Sequence, residues 1–176
     1  DASTVQWRAD APYTLDVDQF ENALHRAAGL TDNPATQATM LAEAVACYRG
    51  DLLPSCYDEW IIPERERLRQ AFIKALESLV WLAEDQRDYA AAIHHANHLL
   101  RYDPLHEGAY HQLMRLQALN GDHAGALRVY HTCVTVLQRE LGVEPGHEVQ
   151  TAYARLLEME VPVSLSGRSA FPSPVR

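Results

Sequence analysis

Three histidines, His94, His95 and His98, stand within one helical turn and a half of each other, and the pair His94 and His98, four residues apart, would leave a helix on one face. Two imidazoles at that spacing can chelate a divalent metal. No carboxylate or cysteine nearby in sequence offers a third ligand, so a solvated polar face, or a surface that responds to pH, is the more economical reading. His106-Glu107 begins like the helix of a zinc protease, yet Tyr110 stands where the second histidine is required. Lys74, the only lysine, follows no glycine-rich loop, which excludes a P-loop ATPase for this segment. No nucleophile elbow, no Cys-His pairing at a known spacing and no paired carboxylates on one helix face stand out. Catalytic residues, cofactors and metals are therefore all assigned as none, and the chain is expected not to be an enzyme.

What remains is a surface. On helical spacing, Lys74, Glu77, Trp81, Glu84 and Asp85 fall along one side of one helix, and His111, Arg115 and Leu119 along the matching side of another. A large ring among mixed charges suits a protein or peptide partner, since Trp and Arg carry much of the binding energy at interfaces. Trp81 reads equally well as a core residue.

The elements that must position these residues repeat. Displaced by 34 residues, Leu76 falls on Tyr110, Leu79 on Leu113, Asp88 on Asp122, Ala92 on Ala126, Ala96 on Tyr130 and Leu99 on Cys133, and Arg87-Asp88 is answered by Gly121-Asp122. A period of that length, with small residues where two helices cross, is what stacked helix-turn-helix units of the tetratricopeptide kind write. One hairpin cannot bury its own apolar face, so its neighbours must. The expected fold is all-α, a right-handed stack of antiparallel helix hairpins with about seven helices.

In chain order, residues 1–17 alternate loosely around Ala11-Pro12 and read as extended. Asp18 and Glu21 make a capping-box-like start for a helix that Gly29 stops. Asp32 or Asn33 caps the next, with Pro34 in its first turn and Gly50 as its stop. Arg49-Gly50-Asp51 spells an integrin-binding tripeptide, but a C-cap role for the glycine is the stronger reading. The connection 52–62 is apolar enough to pack down. Pro63 sits in the first turn of a long helix to about Gln86, whose Glu64-Arg65-Glu66-Arg67 run reads as a solvated, self-pairing face. Segments 88–102, 106–120 and 122–141 complete two hairpins. A final helix opening at Pro145-Gly146, with Val149, Leu156 and Tyr153 or Ala152 on one side, would cover the end of the stack. Residues 161–176, with three prolines and four serines, read as a linker or tail.

With 176 residues, 47% of them apolar, the chain can bury a core. Its net charge of -9 has the wrong sign for holding a phosphate backbone unaided. Residues 1–62 hold ten acidic and three basic side chains, so the acidity belongs to the first third. Cys47, Cys56 and Cys133, odd in number and at no metal-ligand spacing, read as reduced core residues of a cytoplasmic protein, and no apolar run approaches a membrane span.

Several stretches together resemble the bacterial transcriptional activator domain of SARP-type regulators: Tyr13 to Glu21, Tyr48-Arg49-Gly50-Asp51-Leu52-Leu53, Glu59-Trp60 with Glu64 to Leu68, Ala126 to Tyr130, and Glu140-Leu141-Gly142-Val143-Glu144-Pro145-Gly146. The resemblance covers about Leu15 to Glu158, and the last motif is its most specific part. It implies a helical domain over 18–160 that follows a winged-helix DNA-binding domain, with residues 1–17 as the junction and 161–176 as a linker that, in large members, leads to an ATPase domain. It further implies a regulatory or activation module that contacts its own DNA-binding domain, a second subunit or RNA polymerase, with DNA reached only through the upstream domain, no membrane partner and homo-oligomerisation compatible. A free-standing tetratricopeptide-like scaffold that docks a peptide in its groove is the competing reading.

Overall fold

The computed structural model describes residues 14–160, and among these it contains seven α-helices and no strand. They are α1 (Asp16–Ala28), α2 (Pro34–Cys47), α3 (Ile61–Asp85), α4 (Tyr89–Tyr102), α5 (Glu107–Leu119), α6 (His123–Leu141) and α7 (His147–Glu160). The all-α, tetratricopeptide-like expectation holds. Most of the expected junction and the whole Pro/Ser-rich tail lie outside the described residues. The chain divides into two compact units, one running to His95 and the other beginning at Ala96, within α4.

In the first unit α2 packs on both α1 and α3. Phe20, Ala23 and Ala27 of α1, Met40, Leu41, Ala44 and Val45 of α2, and Leu68, Phe72, Leu76 and Leu79 of α3 are buried at helical spacing. The Tyr48 ring, just past α2, stacks on Phe72 at 4.3 Å between centroids and lies 5.7 Å from Phe20, so one aromatic group joins all three helices. Asn33 caps α2 by accepting from the Thr36 N–H at 3.1 Å, and Pro34 occupies the first turn, as the sequence implies.

In the second unit α5 pairs with α6, and α7 packs on both. Its core joins Tyr110 and Met114 of α5, Ala126, Cys133 and Leu137 of α6, and Val149 and Leu156 of α7. Tyr130 and Tyr153 stack almost parallel at 3.9 Å, holding α7 to α6. A Glu107 carboxylate oxygen accepts from the Gly146 N–H, fixing the turn into α7 against the start of α5.

The 34-residue repeat extends to individual hydrogen bonds. At the α3–α4 turn the Arg87 N–H donates to the Glu84 carbonyl and the Asp88 N–H to the Ala83 carbonyl, both at 2.8 Å. At the α5–α6 turn Gly121 donates to Ala118 at 3.0 Å and Asp122 to Gln117 at 2.9 Å. Each aspartate then caps the following helix, Asp88 accepting from the Ala91 N–H at 3.0 Å and Asp122 from the Gly125 N–H at 2.7 Å. Ala92 and Ala126 are both wholly buried.

Three local expectations are corrected. α1 starts at Asp16, two residues before the predicted cap, with Leu15 at the N-cap and no side-chain hydrogen bond there. α2 ends at Cys47 with Tyr48 as an extended C-cap, so Gly50 is a loop residue; its φ of +147° still demands glycine, but for a bend in the loop. The connection expected over 52–62 does not pack down: Leu53, Tyr57, Trp60 and Ile62 are exposed, and of its residues only Ile61, already in α3, is fully buried.

Candidate protein-interaction surfaces

The predicted surface residues divide between the two units. In the first, Lys74, Glu77 and Trp81 line a shallow cleft together with Gln37 of α2 and Ser78 and Leu82 of α3. Trp81 is 61% exposed, which removes the core reading for this side chain. It rises from an ordinary helical position because its neighbours Val80 and Leu82 take the buried sides of α3. Asp85, exposed, and Glu84, half-buried, follow at the end of α3 and do not line that cleft.

In the second unit His111 and Arg115 line a cleft between α5 and α7 with Met114, Ala118, Ala152, Arg155, Leu156 and Met159. Leu119, the last residue of α5, is exposed and stands outside it. Arg155 and Met159 are surface residues that reading the last helix as a cover passes over. The signal was present: Val149 and Leu156 fix the buried face of α7, and a basic side chain at 155 must then stand at its edge.

Sequence reasoning also passed over a third surface. Leu53, Tyr57 and Trp60 on the connection before α3, and Ile62 in the first turn of α3, form an exposed apolar set, with Tyr57 at 90% and Trp60 at 64% exposure. The connection is held in shape by Arg65, whose guanidinium donates to the Leu52 carbonyl at 2.6 Å, the Cys56 carbonyl at 2.8 Å and the Leu53 carbonyl. Three carbonyls on one planar fork leave the loop little freedom. Asp58 accepts from the Trp60 indole N–H at 3.4 Å, so that ring too is oriented. Asp51, Asp58 and Glu59, all exposed, make the surround acidic. The same loop and the start of α1, through Asp16, Val17 and Phe20, line a cleft of about 260 Å³.

The alternating run after Pro63 is thus only partly self-pairing. Arg67 pairs with Glu64 within the helix, at 2.6 Å and 2.9 Å, and with Glu21 of α1. The Arg67 hydrogen bond and charge hold the Glu64 carboxyl below its ordinary range, and the two carboxylates raise Arg67 in turn. Arg65 instead serves the loop.

Among the described residues no group of three or more His, Cys, Asp or Glu side chains is placed to hold a metal. The His98 ring lies 5.6 Å from Tyr102 and the His94 ring 5.5 Å from His95. Burial pushes the Cys133 thiol up to about 11, with the Glu107 charge adding to it, so little nucleophilic thiolate exists there near neutral pH. No described helix is long and apolar enough to cross a membrane.

Comparison with known proteins agrees with this arrangement. The family model described as "Bacterial transcriptional activator domain" matches residues 15–157. The regulatory protein AfsR of Streptomyces coelicolor is 28% identical over 121 residues, which cover 69% of this chain but 12% of that protein. The chain therefore corresponds to a small part of that relative. Mycobacterium tuberculosis EmbR, solved in complex with a low-affinity phosphopeptide, matches 84% of this chain and 38% of its own with a TM-score of 0.61 at 22% identity. The C-terminal tetratricopeptide-containing domain of a Plasmodium falciparum FK506-binding protein matches 83% of this chain and 93% of its own, with a TM-score of 0.55 at 13% identity. These two likenesses concern the fold.

Proposed function

The chain belongs to the bacterial transcriptional activator domain family, and from that premise we propose that it is the regulatory or activation module of a SARP-type transcription regulator, working through protein contacts without catalysis of its own. The observation that carries this reading is the braced loop: Leu53, Tyr57 and Trp60 stand exposed on a connection whose carbonyls Arg65 binds, with Ile62 beside them at the start of α3, next to the start of α1. Apolar side chains ordered before a partner arrives lose little entropy on binding. A DNA-binding domain joined upstream of α1 would meet this loop first, and the basic character such domains need for phosphate complements the acidic surround. DNA is reached through that domain, and a second subunit or RNA polymerase would engage the remaining surfaces.

The test joins this chain to its upstream winged-helix domain and measures both promoter binding and transcription from a reporter. The joined protein is expected to shift promoter DNA where this chain alone does not, and Trp60→Asp with Tyr57→Asp is expected to abolish activation while the chain's own thermal unfolding is unchanged. Full activation after deletion of residues 14–160 would overturn the reading. The competing scaffold reading draws on the exposure of Trp81 beside Lys74 and Glu77. It requires peptide capture that Trp81→Ala abolishes, in the absence of any joined DNA-binding domain.

A further inference from the structure

The α5–α7 cleft differs in charge from the rest of the molecule. The chain carries a net charge of -9, yet among the described residues the polar rim of this cleft is Arg115, Arg155 and His111, with no acidic side chain lining it. Its floor is apolar. Met114 and Leu156 are buried, and Met159 stands 68% exposed at the open side. The cleft volume of about 180 Å³ accommodates a single bulky apolar side chain rather than a whole helix. An unbranched thioether at the mouth adjusts to the shape of what enters. Guanidinium groups on the rim match carboxylates in a fixed, two-pronged geometry.

We propose that this cleft receives an acidic, apolar peptide segment of a partner protein, one bulky side chain seated between Met114 and Leu156 and a neighbouring carboxylate held by Arg155. The inference rests on the reading of the chain as a protein-contact module and names the chemistry of one contact. Charge argues against the chain's own C-terminal segment as the occupant, since residues 161–176 contain Arg168 and Arg176 and no aspartate or glutamate. An acid-flanked apolar segment is complementary in both respects, and its attraction to the rim falls with salt.

The probe is a short, fluorescently labelled synthetic peptide in which pairs of aspartates alternate with leucine and phenylalanine, followed by anisotropy, beside a counterpart with lysine in place of every aspartate. The acidic peptide is expected to bind and the lysine peptide not. Arg155→Glu is expected to weaken binding at least about tenfold with unchanged thermal unfolding, Arg155→Lys to weaken it less, and Arg101→Glu, on an exposed position of α4, to leave it unaltered. Equal binding of both peptides, or an Arg155→Glu variant that binds like the parent, overturns the proposal. So does a concentration-dependent dimer in sedimentation that Arg155→Glu dissolves and the acidic peptide cannot compete with, because the occupant is then a second copy. Failure here while reporter activation still needs residues 14–160 removes only this contact. Activation that survives their deletion removes the regulator reading itself.

Discussion

Arg87 and Gly121 stand 34 residues apart and occupy the same left-handed turn position, with φ of +58° and +84°. The following aspartates, Asp88 and Asp122, cap the next helix in the same way. Glycine takes this conformation without penalty, whereas a residue with a Cβ costs about 1 kcal/mol there. Arg87→Gly is therefore expected to stabilise the protein by about 0.5–1 kcal/mol in urea unfolding, the gain reduced by glycine's freedom in the unfolded chain. Gly121→Ala is expected to destabilise it by about 1 kcal/mol; a Cβ at 121 meets no atom within 4 Å, so the effect is backbone strain rather than collision. Changes of the same sign in the two variants would refute the equivalence.

Arg65 gives the second prediction. Its contacts to the Leu52, Leu53 and Cys56 carbonyls are all to backbone; the Leu53 carbonyl also accepts from the Cys56 N–H at 2.8 Å, but Arg65→Gln takes the guanidinium from all three. A loss of about 1–2 kcal/mol follows, with faster amide exchange confined to residues 52–60. Arg65→Lys should recover little, because one ammonium cannot span three carbonyls as a planar fork does. Exchange in this loop that is the same in all three proteins would show that the brace does not order it.

The Glu21–Arg67 pair invites the opposite expectation. It joins α1 to α3, but both side chains are about half exposed and Arg67 keeps Glu64 as a second partner. Solvent screening and the remaining partner leave Glu21→Ala within about 0.5 kcal/mol of the parent. A larger loss would mean that this cross-helix pair, rather than Phe20, Tyr48 and Phe72, holds α1 in place.

The helices and turns were legible from the sequence because their determinants are local. The aspartate caps, Pro34 in a first turn and the apolar spacing of α3 act within a few residues of themselves. The 34-residue displacement carried the buried pairs Leu76 with Tyr110, Leu79 with Leu113 and Leu99 with Cys133 for the same reason. The braced loop was not legible. Its apolar content is what a buried segment would show, and only Arg65, at least nine residues further along the chain, reveals that the carbonyls are satisfied from one side while Tyr57 and Trp60 face outward. The candidate surfaces were half legible: Lys74, Glu77 and Trp81, and His111 and Arg115, come together within their own units, while helical spacing puts Arg155 at the edge of the buried face of α7 but does not say that α5 lies opposite it, which the packing of α7 on α5 decides.

Cys133 supplies a prediction about alkaline pH. The wholly buried thiol is pushed from 9.0 up to about 11 by burial and by the Glu107 charge, so the folded protein keeps a proton that the unfolded chain gives up. Stability from this group is therefore fully present below pH 9 and is lost as pH rises toward about 11. The loss amounts to roughly 3 kcal/mol, at 1.36 kcal/mol per unit. Tyr110 and Tyr130, both raised chiefly by burial, act in the same direction at pH above 10. Cys133→Ala removes the thiol at the cost of a small cavity, about 1 kcal/mol, and should lower stability at pH 8 while making its decline between pH 9 and 11 shallower than the parent's. Parallel declines in urea unfolding would show that the thiol does not drive the loss. Iodoacetamide at pH 8 checks the same burial independently: Cys56 and Cys47, both partly exposed, should react in the folded protein, and Cys133 only after unfolding.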